Sequence, residues 1–331
     1  MLTNKKYTTW IFVFVLLISN ISCLTSLHAQ KVSAKDKDKI FLEGLALYTL
    51  ILANWTSNDM YYENEFNTDI VSGYLSYRDK DTLKTIFWRE IDTTSAEYKT
   101  KTYKKAGDTV AAEQSNKAVE LRWVIKTVKY NNMNVSKKNA SIPDVEERVP
   151  TDNEKMLIDY RNKVYKAMDT DTTFFKQYAG TKMRAVPIDA GKEVKVYVYS
   201  SVQKEGIVPI GGDYLLIYDK KENKLVSKED LHKDCIFIST QYRGKPGDAS
   251  KFTMHKHKSD ASPLITPTDI ATLLLYKSQL QWDEHHVISD KYTCIFSIVD
   301  RKLDVMLTKD FENIIKQKTE KDNERKKYDM H

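Results

Sequence analysis

Cysteine is scarce in this sequence. Three occur in 331 residues, and no two stand in a Cys-x-x-Cys pair. That excludes a zinc ribbon and a thioredoxin-type redox site. Gly-rich phosphate loops and Gly-x-Ser-x-Gly elbows are also missing, so two common catalytic signatures are absent. Charge of one sign does not accumulate. The net charge is +6, and the opposite charges are interspersed rather than blocked, which gives no footprint for nucleic acid. There is no internal repeat and no low-complexity block. After the first thirty residues no run reads as a membrane span.

What is present is ordinary for a globular chain. Hydrophobic residues make up 41% and charged residues 30%, and the aromatics are rich in Tyr, which argues against global disorder. The length allows two domains or one large one.

The N-terminus reads as a leader. Lys5 and Lys6 precede an apolar run at residues 10–18 (WIFVFVLLI), and a polar, small-residue stretch ends in Leu27-His28-Ala29-Gln30. This order is that of a secretory signal peptide, with cleavage after Ala29 or Gln30. The mature protein is then secreted or periplasmic and carries no transmembrane span. Two alternatives stand beside it: an uncleaved amphipathic anchor, and a lipoprotein anchored through Cys23. For the second, Asn20 stands where a lipobox has Leu. The remaining cysteines, Cys235 and Cys294, lie in β-like runs. They form one disulfide if their Cα atoms fall within about 7 Å, or stay as two thiols.

The sequence divides into a signal peptide at 1–29, an N-terminal helix and β-hairpin region at 30–150, a helical connector at 151–192 and an α/β domain at 193–331. Residues 40–54 (IFLEGLALYTLILAN) predict a buried helix, with an exit at 55–59. Residues 73–77 and 82–88 predict a hairpin around Arg78-Asp79-Lys80-Asp81. A further strand is expected at 97–104. A helix is expected at 110–130, on the stripe Leu121, Val124, Ile125 and Val128. Residues 131–150 read as a linker. Thr151-Asp152-Asn153-Glu154 is a capping box that starts a helix running to about Met168. A short helix carrying Phe174, Phe175 and Tyr178 follows. Asp169-Thr170-Asp171-Thr172 lacks the Gly and distal Glu of a calcium loop, and reads as a helix-end turn. From residue 193 the pattern is β, with strands at 194–200, 214–219, 224–226, 236–240, 252–257, 286–289 and 293–299. A helix lies at 267–279 and a terminal helix at 310–327. This mixture of α+β and α/β patterns predicts a mixed-sheet sandwich.

The most informative segment is residues 252–276. In a strand, His255 and His257 present both rings to one face. Thr266-Pro267-Thr268-Asp269 then opens an apolar helix, with Thr266 as N-cap, Pro267 in the first turn and Asp269 as the capping-box carboxylate. Two readings stand together. One is a strand and a helix with ordinary caps. The other is a zinc shell of two His and one Asp with an open fourth position, the catalytic arrangement. His285-His286 reads as a strand-edge pair with one ring toward core or site. His232 lies in a turn, where it caps the sheet or approaches the loop.

His255-x-His257, a loop, Thr266-x-x-Asp269, an apolar helix and the strand beginning at His286 together resemble the JAMM/MPN metallopeptidase motif, the family of deubiquitinase-type isopeptidases and RadC-like bacterial proteins. The resemblance covers about residues 205–300. It implies a cytidine-deaminase-like α/β sandwich, zinc on His255, His257 and Asp269, Thr266 in the place of the assisting Ser, and an upstream acid as general base. Here the sequence departs from the family. The loop holds eight residues instead of seven, Lys258 replaces a usual Pro, and no Glu stands on the expected element. Asp213 and Glu205 are the available substitutes. The chain as a whole also resembles secreted bacterial proteins with an N-terminal Trp/Tyr-rich unit and a C-terminal histidine segment.

Three functions follow as expectations. The first is an exported zinc hydrolase of peptide or isopeptide bonds. The second is a non-catalytic periplasmic or envelope scaffold that keeps the same fold. The third is a binding protein whose aromatic N-terminal unit, at 55–62 and 74–88, forms a sugar-binding surface or meets a peptide or protein partner; the same aromatics also read as packing of that unit.

Overall fold

A computed structural model describes residues 32–92, 103–105, 108–110, 120–144, 147–202, 204, 206–240 and 252–328. The leader, Cys23, Glu205 and most of the strand expected at 97–104 lie outside the described residues. In chain order the elements are α1 (Ala34–Glu63), β1 (Gly73–Asp79), β2 (Thr82–Asp92), β3 (Tyr103–Lys105), β4 (Asp108–Val110), β5 (Glu120–Tyr130), β6 (Ala140–Ser141), α2 (Asp152–Thr170), β7 (Thr181–Asp189), β8 (Glu193–Val202), β9 (Ile207–Gly211), β10 (Tyr214–Asp219), β11 (Lys224–Asp230), β12 (Cys235–Ser239), β13 (Phe252–Lys256), α3 (Pro267–Leu275), β14 (Glu284–Ile288), β15 (Tyr292–Ser297), β16 (Lys302–Leu307) and α4 (Thr308–Tyr328). Among the described residues this is a mixed α+β protein with three four-stranded sheets and two two-stranded ribbons.

Two compact units emerge. Described residues within Ala46–Ser201 and Asp213–Glu229 form one; those within Met1–Leu45, Val202–Gly212 and Asp230–His331 form the other. The first unit has sheets β1-β2-β5-β6 and β11-β10-β8-β7. Helix α2 serves both. Leu157 and Ile158 pack on Leu75, Tyr77, Ile86 and Trp88 of the first sheet, while Tyr160, Val164 and Met168 pack on Val194, Val196, Val198 and Leu216 of the second. Each such apolar side chain contributes roughly 1.5–3 kcal/mol by leaving water. The capping box at Thr151 forms as expected. Its Glu154 is fully buried and accepts from Tyr77 Oη at 2.6 Å, both Arg148 terminal nitrogens at 2.7 Å and Thr151 N at 2.8 Å. Burial works against this charge, but the Arg148 and Tyr77 hydrogen bonds outweigh it and hold the carboxyl below the usual range.

Several expectations are corrected. Helix α1 does not exit at 55–59 but runs to Glu63, with Ser57 bonded to Tyr130 at 2.7 Å. By length and composition it is apolar enough to cross a membrane, with a window hydropathy of 1.3, and 39% of that window is buried within the protein. Core helices pass the same test. The helix expected at 110–130 is instead β5 over Glu120–Tyr130, paired with β2. Leu121, Val124, Ile125 and Val128 have helical spacing by coincidence. Val124, Ile125 and Val128 are buried, but so are Trp123, Thr127 and Tyr130, so burial is not confined to one stripe, and a run of β-branched and aromatic residues suits a ladder. Phe174 and Phe175 sit in a turn, not a helix. Asp171 ends α2, and its Oδ1 accepts from Thr173 Oγ1 at 2.9 Å and Phe174 N at 3.3 Å, a local competitor to helical bonding. Helix α3 ends at Leu275, followed by a separate 3-10 turn at Lys277–Gln279. Strands β7, β9 and β16 were not expected. The hairpin β1–β2, α4 and strands β8 and β10 to β15 stand close to the places the sequence indicates.

The second unit carries the sheet β13-β14-β15-β16 and the ribbon β12-β9. Strands β13 and β14 are parallel, and the rest of the four-stranded sheet is antiparallel. A parallel pair needs a crossover, and α3 supplies it. One face of the sheet packs Phe252 and Ile295 against Phe311 and Ile315 of α4. Under α3 the main chain comes close to α1: a Cβ on Gly44 would lie 2.7 Å from Ile270 Cβ.

Candidate metal centre

Strand alternation places Thr253, His255 and His257 on one side of β13, and His285 on the same side of β14, where it pairs with Thr253. The N–H of His257 prolongs the ladder to Ile288 O at 2.8 Å. Helix α3 opens beside them. Its N-cap Thr266 accepts from Asp269 N at 3.1 Å, and Asp269 Oδ2 accepts in return from Thr266 N and from the Thr266 hydroxyl, both at 2.9 Å. The capping box therefore uses one carboxylate oxygen. The other, Oδ1, faces the imidazoles.

A third imidazole arrives from the turn between β11 and β12. His232 Nε2 is 3.2 Å from Asp269 Oδ1 and 2.9 Å from His257 Nε2. His255 Nε2 is 2.9 Å from His257 Nε2 and 4.0 Å from Asp269 Oδ1, and His257 Nε2 is 3.9 Å from Asp269 Oδ2. All four residues are buried, and their ligand atoms lie within 4.8 Å of one another. For nitrogens about 2.0–2.1 Å from a zinc ion, tetrahedral geometry gives edges of about 3.3 Å, inside the observed spread.

The hydrogen bonds assign tautomers. His257 Nδ1 lies 2.6 Å from Ser262 O. A carbonyl only accepts, so Nδ1 carries the proton and Nε2 is left with its lone pair. Two other imidazole nitrogens approach that lone pair at 2.9 Å. One proton satisfies one of them; one cation satisfies both. Asp269 Oδ1 is fully buried and accepts no hydrogen bond of good geometry, although His232 stands close. His255 Nδ1 meets His285 Nε2 at 2.8 Å, and His285 Nδ1 meets Thr253 Oγ1 at 2.7 Å. This chain fixes the His255 ring, as the outer partners of metal-bound histidines do.

Burial holds His255 well below its ordinary pKa, against the pull of Asp269. Burial also takes His285 down to about 4. Both rings are neutral near pH 7, the form that binds metal. For Asp269, burial pushes upward, but His232, then His255 and His257, hold the carboxyl well below its usual range.

Comparison with family models, curated proteins and solved structures finds no match. The centre is therefore read on its own chemistry.

The structure brings His255, His257 and Asp269 together. Thr266 touches Asp269, which it positions. Asp213 is buried at the start of β10 and belongs to the other compact unit; it is not among the converging ligands. The two residues that sequence reasoning left at the margin are His232 and His285. Five of the seven histidines fall between positions 232 and 286, and that density was the available signal. His286 points the other way, stacked on Phe252 at 5.1 Å and edge-on to Phe311 at 5.9 Å. Cys294 accepts from Ile265 N at 3.4 Å, and burial pushes its thiol up to about 12, so it offers no thiolate. Both Cys235 and Cys294 are free thiols.

Proposed function

We propose that this chain binds one zinc ion through His232, His255, His257 and Asp269, and that the ion ties turn, strand and helix of this unit into one scaffold. The carrying observation is the pairing of an orphaned buried Asp269 oxygen with a His257 lone pair approached by two more imidazoles. Three imidazoles and one carboxylate suit zinc better than calcium or magnesium, which prefer oxygen. Four protein ligands complete a tetrahedral shell, and a closed shell distinguishes a structural zinc from a catalytic one. The function that follows is an exported, non-catalytic periplasmic or envelope scaffold or binding protein, with export resting on the leader at 1–29.

A JAMM-like zinc hydrolase of peptide or isopeptide bonds is the second reading. It is favoured by the fact that His255, His257 and Asp269, the motif's own three ligands, converge without His232. In this reading Asp213, which is buried, or Glu205, outside the described residues, is the general base. Metal analysis of the mature chain purified without chelator tests the proposal. About one zinc per chain, lost in His257→Ala, supports it. Complete folding with no affinity for zinc refutes it.

A further inference from the structure

We propose that the groove along α2 binds an acidic polysaccharide, a chain of uronate-bearing sugars whose carboxylates meet Lys155, Lys163 and Lys166. The inference goes beyond the metal centre and does not rest on it, since every residue of the groove belongs to the other compact unit. It gives the exported binding protein a ligand class.

Three elements build the groove. One face of α2 supplies most of the lining, Arg122 comes from β5, and Lys220 and Asn223 come from the turn between β10 and β11. Its volume is about 570 Å³, inside the range of roughly 300–1,000 Å³ usual for ligand sites. Lys155, Asp159, Lys163 and Lys166 stand at i, i+4, i+8 and i+11, so helical geometry puts them in one row. At about 1.5 Å per residue the row runs for roughly 16 Å, the length of an oligosaccharide rather than of one sugar.

The lining holds five cations and two carboxylates, and the ion pairs divide them unequally. Arg122 is held by Glu90 at 3.0 Å and by Asp159, and Lys220 by Asp189 at 2.9 Å. Lys155, Lys163 and Lys166 are exposed, and none of them has a carboxylate partner among the described residues. Lys163 is poised by Asn223 Oδ1, to which it donates, and by the Tyr160 ring, 4.8 Å from its Nζ. Asn223 keeps its amide N–H groups for a ligand hydroxyl. Asp152, in the first turn of α2, is the one carboxylate of the lining that these pairs leave over. Three open ammonium groups therefore face one open carboxylate, an excess that suits a polyanion. The rest of the lining favours sugar over peptide or nucleic acid. A peptide strand is commonly held through an open sheet edge or apolar side-chain pockets; here the wall is helix and turn, with Met156 the one aliphatic residue of the lining. Single-stranded nucleic acid stacks its bases on aromatic side chains, and Tyr160, the aromatic of this lining, is buried.

Fluorescence anisotropy of labelled hexagalacturonate, titrated with the full mature chain, tests this. The wild type should bind, and raising the ionic strength from about 0.01 M to about 0.15 M should weaken the complex. Lys155→Gln/Lys166→Gln should raise Kd at least about tenfold, whereas Lys80→Gln/Lys138→Gln, which removes the same charge from exposed sites outside the lining, should change it less than about twofold. If the first double variant does not fold, Lys163→Gln is read against the same control. Absence of binding by the wild type overturns the inference, as does an equal loss in the control pair, which would show net charge acting at large. A neutral galactan oligomer of the same length bound as tightly, or polyglutamate or single-stranded DNA bound more tightly than the uronate, assigns the groove to another occupant and overturns it too.

Discussion

Replacing Asp269 with Asn separates its two tasks. The amide oxygen can occupy the Oδ2 position and keep both bonds from Thr266, each 2.9 Å in the native protein. The amide nitrogen then takes the Oδ1 position, 3.2 Å from His232 Nε2. In the metal-free protein the imidazoles, His232 first, hold the carboxyl well below its usual range, so the folded state stabilises the carboxylate and the neutral amide loses that contribution. Metal-free Asp269→Asn should therefore be less stable than metal-free wild type, by about 1–3 kcal/mol. Zinc widens the gap, because the variant has also lost its anionic ligand. Zinc at 100 times its Kd stabilises the native state by about 2.7 kcal/mol, or roughly 5–11 °C in Tm for a unit of 150–250 residues. Thermal unfolding of both proteins, in chelator and in zinc, shows whether the gap between them widens when zinc is present. A variant less stable than wild type by more than about 3 kcal/mol in chelator would refute the reasoning. So would equal zinc shifts in the two proteins.

Glu154→Gln should cost about 3–5 kcal/mol in urea unfolding, because it leaves Arg148 without its buried partner. The Glu154 carboxyl is held below its ordinary value in the folded state, so its contribution is complete above the unfolded pKa and disappears as pH falls through the folded one. The gap between wild type and variant should shrink below about pH 4.5, and a gap that widens there contradicts the assignment. Gly211→Ala forces an L side chain into φ +89 and against Asp234 O. It should cost about 1–3 kcal/mol and weaken zinc binding through His232; unchanged zinc affinity separates the turn from the centre. Thiol labelling of the native protein should modify half-buried Cys235 well before Cys294, which is buried with its thiol pushed up to about 12.

The parts of this protein legible in its sequence are those decided locally. Both capping boxes, Thr151 with Glu154 and Thr266 with Asp269, formed as read, because the signal and the contact lie within four residues. The β1–β2 hairpin was legible for the same reason. Strand β5 was not: its apolar residues fit a helical stripe, and only pairing with β2 decides between ladder and helix. At the centre, the i, i+2 spacing of His255 and His257 and the cap carboxylate of Asp269 told where to look. The cap and the ligand readings do not exclude each other, since Oδ2 of Asp269 closes the cap while Oδ1 faces the imidazoles. His232 was out of reach because its approach depends on how the turn after β11 seats on Gly211, a tertiary fact with no local signature. His285 joins through a parallel strand pairing, equally remote in sequence.

The most direct test of the account is elemental analysis of the mature chain, expressed in zinc-containing medium and purified without chelator. The account predicts close to one zinc per chain, retained through dialysis and released on denaturation. A folded, monodisperse protein that carries no metal, and that shows no thermal shift when zinc is added, would contradict it.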